Sequence, residues 1–267
     1  MKPNPSFLRQ PTEFWAMVKY ISETLGYSDR NSKGSRLKRY NYEQLRTFEG
    51  QCIVGVNTLR TVLEYLNYRA ALIEEDIQPL LMNKEDAEKV FKNLISNYKP
   101  KCALPLNKQK GNKRHYNYLT CIVNIITERN LNKDFDDNPR KLCYVTDQDN
   151  KLVATFSRWM DGAFPGVENP SAVWEVKEYY GTTTFGSRVA DGVYESQLDG
   201  YEIRDAQKAS GRKIEHYLFV DDRFTWWIKG KSYLCRLIDM MHVGLVDEVI
   251  FGKEVITRWP EIVKTWR

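Results

Sequence analysis

The first hundred residues repeat an apolar pattern of helical spacing. In "PTEFWAMVKYISETLG" the side chains of Phe14, Val18 and Ile21 fall on one face of an α-helix that starts at a proline and stops at a glycine. The segments "NTLRTVLEYLNYRAALI" and "NKEDAEKVFKNLISNY" continue this pattern, and no strand-like alternation competes with it. We therefore predict an N-terminal helical region over residues 1–112.

The pattern changes after the segment "KPKCALPLNKQKGNKRH", which is basic, lacks acids and contains prolines, as an exposed linker or loop does. A helix "YNYLTCIVNIITERN" then precedes three strand-like runs, "KLCYVTD", "LVATFSRW" and "AVWEVKEYY", a helix "GSRVADGVYESQLDGYEIRDAQ" and a strand "IEHYLFVDD". A further helix, a short strand "DEVIFG" and a last helix "EVITRWPEIVKTW" follow. This order predicts a mixed α/β sandwich over residues 113–267.

Two charged residues lie inside the apolar run "AVWEVKEYY". Alternate residues of a strand share a face, so Glu175 and Lys177 are neighbours. Upstream, "RWMDGAFPG" places Asp161 before a Gly/Pro-rich turn at the rim of the preceding strand or hairpin. Two neighbouring carboxylates can hold a hard cation such as Mg²⁺, and a lysine beside them can orient a water molecule or stabilise developing charge. Such a trio would be useful for phosphodiester hydrolysis.

This arrangement resembles the PD-(D/E)XK nuclease family. "MDGAFPG…SAVWEVK" looks like its signature of an acid, a gap and E-x-K, with Met160 in place of the usual proline. The order of elements is similar to the αβββαβ core of that family. The resemblance implies a restriction-endonuclease-like fold with Asp161, Glu175 and Lys177 as catalytic residues. It also implies Mg²⁺ as the cofactor, with Asp161 and Glu175 as ligands and Glu128, near the end of the preceding helix, as a further acid.

The helix after the strand carries a second point of similarity. Apolar residues form a stripe that is expected to face the sheet, and Gln197 falls inside it. The stripe consists of Ala190, Val193, Tyr194, Leu198 and Tyr201. "QLDGY" resembles the Q-hydrophobic-x-x-Y motif of the RecB and lambda-exonuclease branches of the family. The resemblance implies that Gln197 and Tyr201 support the active site.

Two basic clusters are candidate DNA contacts. Lys and Arg interleaved with Tyr suit phosphate anchoring and contacts to bases or sugars, and solvated loop charge explains either cluster equally well. The candidates are Lys33, Arg36, Lys38, Arg39, Lys108, Lys110, Lys113 and Arg114. The net charge of +5 permits a polyanionic partner without requiring one.

The residues of the candidate site also have structural explanations. Glu175 and Lys177 could form a surface ion pair of little energetic value. Asp161 could be a turn residue, and Gln197 could edge its stripe with no further role. The nuclease interpretation depends on the conjunction of these residues.

Two further segments suggest phosphate or metal chemistry only weakly. "GTTTFGS" lacks the terminal G-K-[ST] of a phosphate-binding loop, although its backbone amides could meet a DNA phosphate at the following helix. Asp221 and Asp222 are interpreted as a capped strand end rather than as a second metal site.

The cysteines and the N-terminal segment bear on localisation. The five cysteines include no C-x-x-C pair, so neither a disulfide framework nor a zinc site is indicated. No signal-peptide pattern and no apolar run long enough to span a membrane occurs. We expect a cytoplasmic protein without membrane contacts.

Together these inferences favour a Mg²⁺-dependent DNA endonuclease, most similar to the type II restriction endonucleases. It is expected to act on double-stranded DNA as a homodimer, with the N-terminal helices in recognition or dimerisation. A RecB-like exonuclease or repair nuclease is one alternative. A non-catalytic DNA-binding protein with a nuclease-like core is the other.

Overall fold

The computed structural model describes residues 1–8, 10–31, 34–49, 56–108, 110–111, 114–180 and 186–266. Within these residues the helices are α1 (Pro5–Leu8), α2 (Thr12–Leu25), α3 (Tyr42–Arg46), α4 (Val56–Ala71), α5 (Lys84–Asn97), α6 (Tyr118–Asn130), α7 (Ser187–Ser210), α8 (Lys231–Val243) and α9 (Glu254–Val263). The strands are β1 (Ser28–Asn31), β2 (Gly34–Leu37), β3 (Tyr144–Thr146), β4 (Leu152–Thr155), β5 (Gly162–Phe164), β6 (Ala172–Glu178), β7 (Glu215–Asp221) and β8 (Glu248–Phe251). Leu72–Ile77 and Phe224–Lys229 are π-helical. The predicted mixed α/β fold is confirmed.

The largest described sheet has four strands in the order β5-β6-β7-β8. β6 pairs antiparallel with β5 and parallel with β7, and β7 pairs parallel with β8. Parallel neighbours require a crossover, which α7 provides between β6 and β7 and α8 provides between β7 and β8. The antiparallel hairpins β1-β2 and β3-β4 form separate small sheets.

Alternation along β6 and β7 divides the core into two layers. Trp174 and Phe219 point to one face of the sheet, where they pack with α5, α6 and α9. Val173, Leu218 and Val220 point to the other face, which α7 and α8 cover. Because Glu175 and Lys177 alternate with Trp174, they share the face that α7 covers.

The strand next to β6 differs from the sequence interpretation. The runs at β3 and β4 form their own hairpin, whereas the neighbour of β6 is β5, in the segment for which the sequence predicts a Gly/Pro-rich turn. Gly162 explains the difference, because an added Cβ there would lie 2.0 Å from the Trp174 ring. The close approach of the Trp174 indole requires glycine at this position. Glycine in a sequence is usually taken to interrupt a strand, so the pattern does not predict β5.

The N-terminal helices have an apolar core of their own, to which α1, α2 and α4 contribute. Arg69 of α4 pairs with Asp239 of α8 at 2.6 Å, and this contact joins that core to a helix that covers the sheet. The expectation that this region contains no strand is wrong, because β1 and β2 form a hairpin. Its segments, "SDRN" and "GSRL", are polar and show no apolar alternation. Helix α5 packs against α6 and therefore belongs to the layer beside the sheet.

No helix in the described part of the chain combines the length and the apolar character that a membrane span requires.

Candidate active site

The hairpin of β5 and β6 brings Asp161 next to Glu175. Its register pairs Gly162 with Trp174, so one further residue places Asp161 opposite Glu175. The Asp161 N–H donates to the Trp174 carbonyl at 3.1 Å. Oδ2 of Asp161 accepts from the Val176 N–H at 2.7 Å. Two carboxylates from one hairpin therefore lie side by side.

Lys177 completes the trio that the sequence analysis singled out. Its Nζ lies 2.8 Å from Oε2 of Glu175, and the two residues are only 7% and 2% exposed. A surface ion pair is therefore not the explanation. Buried charges are costly unless they are paired, so this pair needs its partners in place.

Three residues that the sequence analysis missed surround the trio. Arg158, in the segment between β4 and β5, lies 2.9 Å from Asp199 and 3.0 Å from Glu195, both on α7. Its Nη2 is 3.7 Å from Glu175, and Lys177 is 3.4 Å from Glu195. We call the whole set the acid cluster; it consists of Asp161, Glu175, Glu195 and Asp199 with the cations Arg158 and Lys177. The available signal was the spacing of Glu195 and Asp199, which puts two acids on one helix face.

Of the predicted apolar stripe of α7, Val193 faces inward, whereas Tyr194, Leu198 and Tyr201 do not. Tyr194, Leu198 and Tyr201 are 54%, 45% and 38% exposed. The face turned inward consists of Val189, Gly192, Val193, Ser196, Asp199, Gly200, Ile203, Ala206 and Ser210. Small residues allow the helix to approach closely: a Cβ on Gly192 would lie 2.4 Å from the Tyr179 hydroxyl. The apolar pattern does not identify this face because small residues share it with Val189, Val193 and Ile203, while larger apolar side chains lie outside it.

Gln197 and Tyr201 are consequently not part of the acid cluster. Residues of a helix advance by about 100° each, so Gln197 points roughly opposite to Glu195. The Gln197 amide lies 3.5 Å from the Tyr201 hydroxyl, and both line a cleft towards α2. In the structure, Gln197 and Tyr201 therefore do not support the active site, contrary to the prediction from the sequence.

Glu128 also lies elsewhere. Helix α6 packs on the Trp174 face of the sheet, opposite to Glu175. The Glu128 carboxylate accepts from the N–H groups of Lys101 at 3.0 Å and Cys102 at 3.2 Å. It fixes the chain that leads to α6, so its prediction as a metal ligand is wrong for this geometry.

Burial and charge shift the protonation of the acid cluster. Burial, together with the charge of Glu175, raises the pKa of Asp161 to about 7, although Lys177 opposes the shift. Burial and Glu175 likewise raise the pKa of Asp199 to about 7 against the influence of Arg158. Burial alone would lower the pKa of Lys177, but the charge and hydrogen bond of Glu175 outweigh it and raise that pKa. The Lys177 ammonium is therefore charged, and Asp161 and Asp199 each exchange a proton near neutral pH.

The oxygens of the cluster fit a hard cation. Oε1 of Glu175 and Oδ1 of Asp199 are buried and accept no hydrogen bond. Such buried acceptors call for a water molecule or an ion. The described residues contain no group of three or more His, Cys, Asp or Glu arranged around a metal position. Mg²⁺ does not need one, because it keeps several waters and binds through one or two carboxylates plus substrate phosphates. Asp161 and Glu175 fit that role.

The predicted DNA contacts fall into three groups. Lys38 donates to the Leu25 carbonyl at 2.7 Å and Arg39 pairs with Glu74 at 3.1 Å. Both side chains therefore make contacts within the protein. Lys33 and Lys113 lie outside the described residues. The remaining candidates are exposed: Arg36, Lys108, Lys110 and Arg114.

The two segments with weak signals for phosphate or metal chemistry are Asp221–Asp222 and "GTTTFGS". Asp221 accepts from the N–H groups of Met82 and Asp222, and Asp222 accepts from the Thr225 N–H. These hydrogen bonds agree with the interpretation of Asp221 and Asp222 as caps at the end of β7. Residues 181–185 of "GTTTFGS" lie outside the described residues.

Residues 82–266 match a family described as Domain of unknown function (DUF7687), and the chain belongs to this family. Residues 1–76 match a second one, Domain of unknown function (DUF7690). Comparisons with curated proteins and with solved structures found no match. The boundary between the two matches lies between α4 and α5. Helix α5, which follows the boundary, packs against α6 in the layer beside the sheet.

Proposed function

We propose that this protein is a Mg²⁺-dependent nuclease that hydrolyses phosphodiester bonds of double-stranded DNA. The observation that carries the proposal is the placement of Asp161 opposite Glu175, with Lys177 at 2.8 Å from Glu175. Two carboxylates and a protonated lysine on one strand pair are what metal-assisted hydrolysis of a phosphodiester needs.

The topology around the trio supports a restriction-endonuclease-like core. The antiparallel pair β5-β6 carries the three residues, and α7 then crosses over to the parallel strand β7. An antiparallel strand pair, a crossover helix and a parallel strand also follow one another in the second half of an αβββαβ core. In chain order the β3-β4 hairpin precedes β5, as the first strand of such a core would, but it forms a separate sheet.

Each residue of the trio has a defined task in the proposal. Asp161 and Glu175 would hold Mg²⁺, which when bound neutralises phosphate charge and acidifies the attacking water. Lys177 stays protonated beside Glu175 and stabilises the charge that develops on the phosphate. Arg158 is a positioning residue, because it ties Glu195 and Asp199 of α7 to the segment before Asp161.

A non-catalytic DNA-binding protein is the second candidate, and one observation favours it. Arg158 and Lys177 lie 3.7 Å and 2.8 Å from the same Glu175 oxygen. They already neutralise the acid that the metal would require. On this alternative the cluster is a buried network that fixes α7 against the sheet.

Digestion of three DNA forms by the wild-type protein separates these candidates. Closed circular, nicked circular and linear DNA are incubated with Mg²⁺ and, in parallel, with EDTA. The proposal predicts Mg²⁺-dependent cutting of the closed circle, and sequencing of the ends then gives the cut pattern. Degradation of linear DNA alone would indicate an exonuclease. Binding without cleavage of any form would favour the non-catalytic alternative.

A further inference from the structure

A cleft of about 490 Å³ opens between α2 of the N-terminal helices and the pair α7 and α8. Its volume is that of a small-molecule site. The cleft lies where the two family matches meet, since its walls come from residues 12–27 and 193–245. Junctions of this kind are frequent positions for ligand sites.

The cleft is separate from the acid cluster. Gln197 and Tyr201 of α7 line it, whereas Glu195 and Asp199 of the same helix contact Arg158 on the other side. Helix α7 therefore stands between the two places. A ligand in the cleft does not reach the carboxylates of the cluster.

The cleft wall has an excess of positive charge: Lys19, Arg204 and Arg236 line it with only two acids. Its two acids are already neutralised, because Glu23 pairs with Arg236 at 2.8 Å and Asp239 pairs with Arg69 at 2.6 Å. Lys19 and Arg204 also line the cleft; Lys19 shares the attraction of Glu23 with Arg236, and no acid within salt-bridge distance of Arg204 is found among the described residues. This excess of exposed positive charge favours an anionic ligand.

The remaining lining favours a flat aromatic group. Trp15, Tyr194 and Tyr201 present ring surfaces, and the two tyrosines are 54% and 38% exposed. The guanidinium of Arg204 lies 4.8 Å from the centre of the Tyr201 ring. Aromatic rings and a guanidinium plane are the groups on which proteins stack nucleobases. The Gln197 amide makes a long hydrogen bond of 3.5 Å to the Tyr201 hydroxyl. It can hydrogen-bond to the edge of a base.

We propose that this cleft is a nucleotide-binding site. The base stacks on the aromatic lining, Gln197 bonds its edge, and Lys19 and Arg204 bind the phosphate. The nucleotide can be a free mononucleotide or an unstacked base within a nucleic-acid strand, and the chemistry of recognition is the same. The inference goes beyond the proposed nuclease activity and stands whether or not the acid cluster hydrolyses DNA.

Binding measurements on the full-length protein test the inference. The probes are the four deoxynucleoside monophosphates, a short single-stranded oligonucleotide and the same oligonucleotide with abasic positions. We expect base-containing probes to bind and the abasic one to bind roughly tenfold or more weakly, because stacking dominates. Binding of monophosphates identifies a free nucleotide as ligand, and binding of the oligonucleotide alone identifies a base within a strand.

Substitutions locate the site. Tyr201→Leu and Arg204→Gln change exposed side chains and should each weaken binding roughly tenfold while leaving the melting temperature unchanged. Arg60→Gln is the matched control, because Arg60 also lies over a tyrosine ring, that of Tyr42 at 5.8 Å, but outside the cleft. Asp161→Asn should bind nucleotides like the wild type. The inference is overturned if no probe binds at millimolar concentration, if the abasic probe binds equally well, or if the Tyr201 and Arg204 variants bind normally.

Discussion

The ammonium of Lys177 lies 2.8 Å from Oε2 of Glu175, on the sheet face that α7 covers. The chain contains a second pair of the same spacing, Lys213 and Glu215, also at 2.8 Å. The second lysine is 73% exposed, whereas the side chain of Lys177 is 8% exposed. Two pairs with equal distances and different burial offer a direct comparison of roles.

Lys177→Met removes the charge and keeps most of the side-chain volume. We expect single-turnover cleavage to fall by roughly a hundredfold or more, the usual result of losing a group that stabilises developing charge. DNA affinity, measured by fluorescence anisotropy, should remain. The matched Lys213→Met variant should cleave normally. Loss of binding in step with cleavage would instead make Lys177 a phosphate anchor.

Opposite faces of α7 should respond differently to substitution. Asp199→Asn weakens the contact that fixes Arg158 and should lower cleavage by roughly tenfold to a hundredfold, as losses of supporting residues do. Gln197→Leu alters only the cleft and should cleave DNA near the wild-type rate. Thermal melts establish that both variants fold, and cleavage time courses compare them. A larger loss in the Gln197 variant would restore this residue to the active site.

The basic segment before α6 should carry affinity that is independent of sequence. Neutralising Lys108, Lys110, Lys113 and Arg114 should reduce the slope of log affinity against log salt by about 0.9 for each lost phosphate contact. The control neutralises the exposed cations Lys133, Arg140, Lys141 and Lys151, which changes the net charge equally. Equal slopes in both variants would show that the segment is merely solvated.

Asp221 should make folding stability depend on pH. Burial raises its pKa from the ordinary 3.8 to about 7, although hydrogen bonds from Tyr180, Met82 and Asp222 oppose the shift. The folded state therefore binds more protons than the unfolded state between these values, and the free energy of unfolding falls as pH rises through them. Asp221→Asn removes this titration and should flatten the profile by up to about 1.4 kcal/mol per pH unit.

Urea unfolding between pH 4 and pH 8 measures this difference. Asp205→Asn, which changes an exposed carboxylate of α7, should leave the wild-type slope unaltered. An Asp221→Asn profile as steep as the wild-type profile would contradict the effect assigned to this buried carboxyl group.

Much of the fold could be predicted because long helices and the buried strand β6 carry their periodicity in their own residues. The predicted segments for α2, α4, α5 and α6 coincide closely with the observed helices. Strand β5 could not be found in this way. Its glycine is required by the Trp174 ring, a contact between strands that no local pattern reports.

The candidate site was predictable only where residues share one element or one hairpin. Glu175 and Lys177 are neighbours by strand alternation alone, and the turn before β6 brings Asp161 beside them. Arg158 and Asp199 meet through tertiary packing of α7, in which glycines allow a close approach that no apolar stripe reveals. Their place in the cluster could therefore be learned only from the structure.

The central claim is that Asp161 and Glu175 together hold the metal for DNA hydrolysis. Asp161→Asn and Glu175→Gln keep the shape of each side chain and remove its charge. Glu178→Gln is the matched control, because Glu178 lies on the same strand but faces α6, where its carboxylate accepts from the Leu119 N–H at 3.0 Å. All three variants should melt as cooperatively as the wild type and bind DNA.

The deciding measurement is the rate of closed circular DNA cleavage in Mg²⁺ for these three variants and the wild type. The account predicts that Glu178→Gln cuts like the wild type, whereas Asp161→Asn and Glu175→Gln cut no faster than wild-type protein in EDTA. Wild-type cleavage by either folded Asp161 or Glu175 variant would contradict it.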